Sequence, residues 1–282
     1  VLAILADPAR SRALMDVFTN AAPELVDALA PAPGAERTRL LAATDVALAR
    51  MQADATLSRA DRMTALQARI DLARIDQGKD ALHPVLPPAL VREARAAAAD
   101  ADREVTSPFE RQAVITEASQ VLADAGLWKE SDALLQGSLA RSHAPYYLMS
   151  ELGANARREG RPGDALQWYR KAFERSEGPA TRLQWGAAYL GALVDLAPRD
   201  EHAIEQAAHA VFAEAAAQPG AFYERSGRSL RRIGAKLAAW NAGSRHQAVV
   251  DRLAAELHGT CAKLPAGDPS RSTCDAVLPA KA

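Results

Sequence analysis

No stretch of this 282-residue chain alternates β-branched or aromatic residues with polar ones, the pattern a half-buried strand requires. Aromatics are also scarce, at 5%, while hydrophobic residues reach 49% and Ala dominates them. Ala has the highest helix propensity and buries little area, so chains of this kind pack helices closely on one another. A surplus of positive charge is missing too. Lys and Arg number 34 against 35 Asp and Glu, a formal net charge of −1. Nucleic-acid binders carry a clustered cationic excess, so that class is set aside. Nor does any apolar run approach the ~20 residues of a membrane span. The opening VLAILA is too short for a span or a full signal peptide. A soluble chain with no membrane span is expected. Because it opens on Val1, it is expected to be a piece of a larger or processed polypeptide.

Catalytic signatures are missing as well. There is no HExxH, no Gly-rich phosphate loop and no GxSxG elbow. His202 and His209 lie seven apart and could share a helix face, with Glu205 the one obvious further ligand. That falls short of a zinc set, so no metal and no cofactor are expected. Glu151 follows Tyr146 and Tyr147 in an apolar-aromatic context. A helical muramidase-type enzyme places a general acid in such surroundings. No motif supports that role, and a solvated or salt-bridged glutamate is expected.

The chain has only two cysteines, Cys261 and Cys274, in CAKLPAGDPSRSTC. Their spacing is too wide for a CxxC redox pair or a compact zinc knuckle. The residues between them are turn formers. Two readings stand, a disulfide or two unrelated free thiols, and the shared short loop favours the disulfide. Such a bridge contributes roughly 3 kcal/mol in the chain-entropy model. It implies an oxidising compartment, which in bacteria is periplasmic or secreted.

What is present is a succession of helix signals. Asp7-Pro8 opens DPARSRALMDVF as N-cap and first helical residue. Ser58 with Asp61, and Ser107-Pro108 with Glu110, start two more helices. Leu66, Ile70, Leu72 and Ala73 form an apolar stripe. The segment from Asp76 to Pro88 holds three prolines and a glycine and is the best candidate boundary. Residues 1–80 are therefore expected to be an N-terminal helical bundle or solenoid start, and 81–260 a series of helical repeats. Residues 261–282 would form a tail with the disulfide loop. A final helix pair is expected to close at Gly243 and Gly259.

Gly126 and Gly160 stand 34 residues apart, the tetratricopeptide period, and Ala133-Leu134 and Ala165-Leu166 follow them at an offset of 32. The segment from Tyr146 to Pro179 resembles one tetratricopeptide repeat. Leu152-Gly153, Gly160, Ala165, Tyr169 and Ala172 occupy its characteristic positions, while Met149 and Ala156 replace the usual aromatics. The resemblance implies an all-α, right-handed α-solenoid of antiparallel helix pairs. By this register Tyr147, Ser150, Ala154 and Arg157, with Gln184 from the next pair, line the groove where a protein or peptide partner binds. The aromatics Tyr146, Trp168, Tyr169, Phe173, Trp185 and Tyr189 are expected mainly to fill the core. Arg225, Arg228, Arg231, Arg232 and Lys236, against the single Glu224, form a basic run. Solvation is the expected role of such a run, with docking of an acidic partner as the alternative.

LSRADRMTALQARIDLAR, the segment APYYLM to WYRKAF, TRLQWGAAYLGALVDLAP and the tail from KLAAWN to the second cysteine resemble the helical C-terminal part of certain bacterial envelope proteins. Those proteins carry a thioredoxin-fold domain ahead of this region. The resemblance implies a thiol–disulfide context and a tethered thioredoxin-fold domain as a possible partner. It implies no active site in this chain, which has no CxxC. The expected function is a non-catalytic interaction or scaffolding module. The alternative is an envelope hydrolase or lyase acting on glycan or peptide through an unrecognised Glu, and a bare structural spacer is the third option.

Overall fold

A computed structural model describes residues 1–78, 81–218 and 220–279. Among the described residues the protein is all-helical, with sixteen α-helices and no strand. The chain divides into two compact units, Val1–Glu159 and Gly160–Ala282.

The first unit opens with four short helices, α1 (Leu2–Ala6), α2 (Pro8–Ala13), α3 (Met15–Asn20) and α4 (Ala22–Leu29). The Asp7 carboxylate accepts from the backbone N–H groups of Ala9 and Arg10, and Pro8 takes the position where no N–H is needed. The helix expected to run on to Phe18 instead kinks at Leu14. Leu14 and Val17 stay exposed while Phe18 enters the core. There Phe18 joins Leu5, Val26, Leu40, Leu48 and Leu72.

Six longer helices follow: α5 (Ala35–Ala53), α6 (Arg59–Ala73), α7 (Pro88–Glu104), α8 (Pro108–Asp124), α9 (Trp128–Ser138) and α10 (Pro145–Arg158). The Ser58 and Ser107 hydroxyls cap α6 and α8 by accepting from the N–H groups of Asp61 and Glu110. Helix α8 is the hub, packed against α6, α7, α9 and α10. Arg111 on α8 is 1% exposed; both terminal nitrogens of its fork are engaged, while Nε is buried without a partner in the protein. It donates to the carbonyls of Asp102 and Val105 at the end of α7, to the Asp102 carboxylate, and to Ser138 Oγ on α9. A buried guanidinium is tolerated only with such pairing.

The proline-rich connection before α7 is fastened to this unit. Gln77 exchanges two hydrogen bonds with the Val85 backbone, and Trp128 Nε1 donates to the Leu82 carbonyl. Gly126 ends α8 with φ +77°, the left-handed conformation that favours glycine. A Cβ there would lie 3.1 Å from Pro84 Cδ, so the connection also passes close to this turn.

The second unit contains α11 (Pro162–Arg175), α12 (Pro179–Leu196), α13 (Glu201–Ala216), α14 (Glu224–Trp240), α15 (Gln247–Cys261) and α16 (Pro269–Asp275). Its core gathers Leu183, Leu190, Ile204, Phe212, Leu230 and Leu253, all nearly inaccessible to solvent. Gly259 does not close a helix as expected: it lies inside α15, which runs on to Cys261. The segment between the cysteines is not all loop either. Asp268 accepts from the Ser270 N–H and Pro269 takes the first helical position, so α16 forms and carries Cys274.

Cys261 and Cys274 form a disulfide, with both residues buried. Val277 and Leu278 beyond it are buried as well, and His258 Nε2 is 2.9 Å from the Leu278 carbonyl oxygen. The tail meets α14 at Gly234, where a Cβ would stand 1.8 Å from the Val277 oxygen. Only glycine allows that approach.

Candidate functional site

Three helices of the first unit that pack side by side, α6, α8 and α10, each carry polar residues two turns apart. These are Gln67, Asp71 and Arg74 on α6, Glu117 and Asp124 on α8, and Glu151 and Arg158 on α10. A spacing of seven returns a side chain to nearly the same helix face. Each helix thus presents its polar pair along one line while its neighbouring positions supply the core.

Asp124 is the centre of the cluster. Its side chain is 10% exposed and accepts from Arg158 Nη2 at 2.7 Å and from Gln67 Nε2 at 2.8 Å. Arg74, 8% exposed, lies 3.5 Å away and donates to the Asp124 backbone carbonyl at 3.1 Å. Arg158 also covers the Trp128 ring, 4.7 Å from its centroid. The Asp124 charge is therefore well matched.

Its neighbours are not matched in this way. Asp71 receives one longer bond, 3.3 Å, from the same Gln67 amide nitrogen. Burial, then the adjacent Asp124 charge, pushes the Asp71 carboxyl up to about 6, with Glu24 adding to the rise. The Gln67 bond and Arg74 only partly offset this. Burial raises the Glu117 carboxyl. Burial, followed by repulsion from Glu117 and Asp124, raises Glu151. Glu151 is thus not the solvated or salt-bridged residue expected from the sequence; it is half-buried among other acids. Gln67 Oε1 is buried with no hydrogen-bond partner in the protein. Beside these groups opens a cavity of about 330 Å³, lined by Glu24, Asp71, Arg74, Asp124 and Arg158 together with residues of α3 and α4.

Of the residues expected to line a groove, Tyr147, Ser150, Ala154 and Arg157 lie along α10. Tyr147, Ser150 and Ala154 are half-buried and Arg157 is exposed. Ser150 directly precedes Glu151. Gln184 is half-buried on α12, in the second unit. The expected core aromatics divide: Phe173 and Trp185 are buried, while Tyr146, Trp168, Tyr169 and Tyr189 are half-buried. His209 Nδ1 is paired with Glu256, and His246 Nδ1 lies 2.6 Å from Glu201. No described helix is long and apolar enough to cross a membrane.

Sequence reasoning missed Asp71, Glu117, Asp124, Gln67, Arg74 and Arg158. The recurring spacing of seven between polar residues, on the alternate helices α6, α8 and α10, was the available signal. No protein-family model matches the chain, and no curated protein is detectably similar to it.

Proposed function

We propose that the chain is a non-catalytic recognition module, in which the α6–α8–α10 face binds a protein or peptide segment through its cationic side chains. One observation carries the proposal. Burial raises the proton affinities of Asp71, Glu117 and Glu151, and the Asp124 charge adds to the rise at Asp71 and Glu151. Such a cluster gains from an ammonium or guanidinium placed among the acids, because one incoming cation relieves several repulsions at once. Tyr147 and Ser150, next to Glu151, supply aromatic contact and a hydroxyl at the edge of the same face, and Arg157 adds specificity against a wrongly charged partner.

Within each unit, the contact pattern supports stacked, tetratricopeptide-like helix pairs. In the first unit α8 packs between α6 and α10, and in the second α12 packs on α14 and α13 on α15. Contacts between elements two apart in sequence are what stacked helix pairs produce. The Cys261–Cys274 bridge supports a periplasmic or secreted location. It also fits the thiol–disulfide setting implied by the resemblance to the helical arm of envelope thioredoxin-fold proteins, with such a domain as one partner.

A lysine- and arginine-containing peptide set, titrated into the full chain, tests the reading. Binding is expected to weaken roughly tenfold in a D71N/E151Q variant that unfolds like the wild type. Equal affinity in the two proteins would remove the acidic face from the account. The second reading, a hydrolase or lyase acting on glycan or peptide, draws on Glu151, whose raised proton affinity suits a general acid. Turnover of peptidoglycan fragments or peptides, abolished by E151Q alone, would favour that reading instead.

A further inference from the structure

We propose that the arginine face of α14 is a docking surface for a carboxylate-rich protein segment, a function carried by a different unit from the acidic face and independent of it. Arg225, Arg228, Arg231 and Arg232 are all exposed, and with Ala235 they line an open depression of about 570 Å³. Glu224 is the single acidic residue of α14. None of the four arginines is ion-paired among the described residues. Some surface cations of this unit do find acidic partners, such as Arg170 with Glu174, Lys236 with Asp195, and Arg252 with Glu205.

This arrangement works against the helix that bears it. The arginines occupy the N-terminal half of α14, where the macrodipole disfavours positive charge. Arg228 has like charges three residues before it and three and four residues after it, pairs that repel across a helix surface. A solvated face needs no such concentration, whereas an anionic partner turns the same charges into attraction.

The surface is also rigid. Leu230, Ile233 and Leu237 on the other side of α14 are buried, and Gly227 and Gly234 bring the helix against the Phe222 and Val277 carbonyls. Ser229 Oγ donates to the Arg225 carbonyl and accepts from Arg232 Nη2 at 3.3 Å, which steadies one guanidinium. The helix backbone that carries the four guanidiniums is therefore fixed in advance of binding.

Charge complementarity selects the occupant. Arg225, Arg228 and Arg232 step along the helix by roughly 4.5 and 6 Å. Alternate side chains of an extended segment repeat at about 7 Å, and carboxylates one helical turn apart at about 5 Å, so acidic side chains of either form meet successive arginines. Every cation among the four is an arginine, whose planar fork takes a carboxylate bidentately. An anionic membrane is disfavoured because the apolar face of α14 is spent in the core and cannot enter a bilayer. A nucleic acid is disfavoured by the overall balance of charge.

The test uses the full chain and a fluorescein-labelled peptide with Glu at alternate positions, read by anisotropy at low and physiological salt. Wild-type protein is expected to bind with an affinity that falls as salt rises. R225E/R228E/R232E is expected to lose about tenfold or more in affinity and to gain binding to the Lys version of the peptide. Circular dichroism confirms the fold, and R225Q/R228Q/R232Q replaces the reversal variant if that one unfolds. Equal affinity in wild type and the folded variant overturns the proposal. So does binding to phosphatidylglycerol vesicles or single-stranded DNA with none to the acidic peptide.

Discussion

The Asp71 and Asp124 carboxylates share one hydrogen-bond donor, the Gln67 amide nitrogen, which lies 3.3 Å from the first and 2.8 Å from the second. The sharing is unequal. Asp124 also has Arg158 and Arg74, while the charge of Asp124 itself bears on Asp71. The Asp71 carboxyl is thereby raised in proton affinity by its burial and by the neighbouring charge.

Asp71 is expected to make stability fall with rising pH. Its carboxyl binds a proton more tightly in the folded protein, at about 6, than in the unfolded chain. The folded state therefore holds more protons between the unfolded value near 4 and the folded value. The favourable contribution is complete below pH 4 and lost by pH 7. D71N removes this titration, keeps an acceptor for Gln67, and should be more stable than wild type at pH 7.5 by about 1–2 kcal/mol. Urea unfolding at pH 4, 6 and 7.5 measures it; a variant that stays less stable at every pH would contradict the assignment.

Substituting Asp124 is expected to destabilise the protein. Replacing it by Ala leaves Arg74 and Arg158 facing each other without their shared carboxylate. A loss of about 3 kcal/mol is expected, the range for stranding a buried charge. R158Q should lose less, because its side chain is 38% exposed. The same unfolding experiment compares the two, and similar small losses would show that the cluster is not coupled.

Gly234 decides between two opposing effects. In an exposed helix interior, Gly→Ala stabilises by about 1 kcal/mol. Here the new methyl group would sit 1.8 Å from the Val277 oxygen, so the tail must move. G234A is expected to destabilise by at least about 2 kcal/mol and to expose Val277 and Leu278. Thermal unfolding gives the sign, and hydrogen exchange across residues 275–279 reports whether the tail has lifted.

Reduction of the Cys261–Cys274 bridge releases a loop with a sequence separation of 13. About 3 kcal/mol of stability should disappear on adding reductant, concentrated in α15 and α16. Denaturation with and without dithiothreitol measures this. An unchanged midpoint would mean that Leu253, Leu257 and Leu278 alone hold the tail.

Much of the helical fold was legible in the sequence because its signals are local. Asp7, Ser58 and Ser107 cap the helices they precede, and Gly126 ends α8, all through contacts spanning a few residues. The kink at Leu14, the continuation of α15 through Gly259 and the formation of α16 were not legible. These depend on which side chains the rest of the unit can bury, as Phe18 and Cys274 show. The candidate site was legible only in part. Glu151 stood out by its aromatic surroundings, but its significance comes from Glu117 and Asp124 on another helix. Asp71 carried no signal of its own, because nothing within α6 reveals that Asp124 lies beside it.

The most direct test of cation recognition is calorimetry of a lysine-containing peptide binding the full chain at pH 6, repeated in buffers of different ionisation enthalpy. The account predicts that an entering cation displaces a proton from Asp71. The observed heat should then vary with the buffer, showing proton release that vanishes in D71N/E151Q and affinity that rises from pH 5 to pH 7. A buffer-independent heat, with the same affinity at both pH values and in the variant, would contradict it.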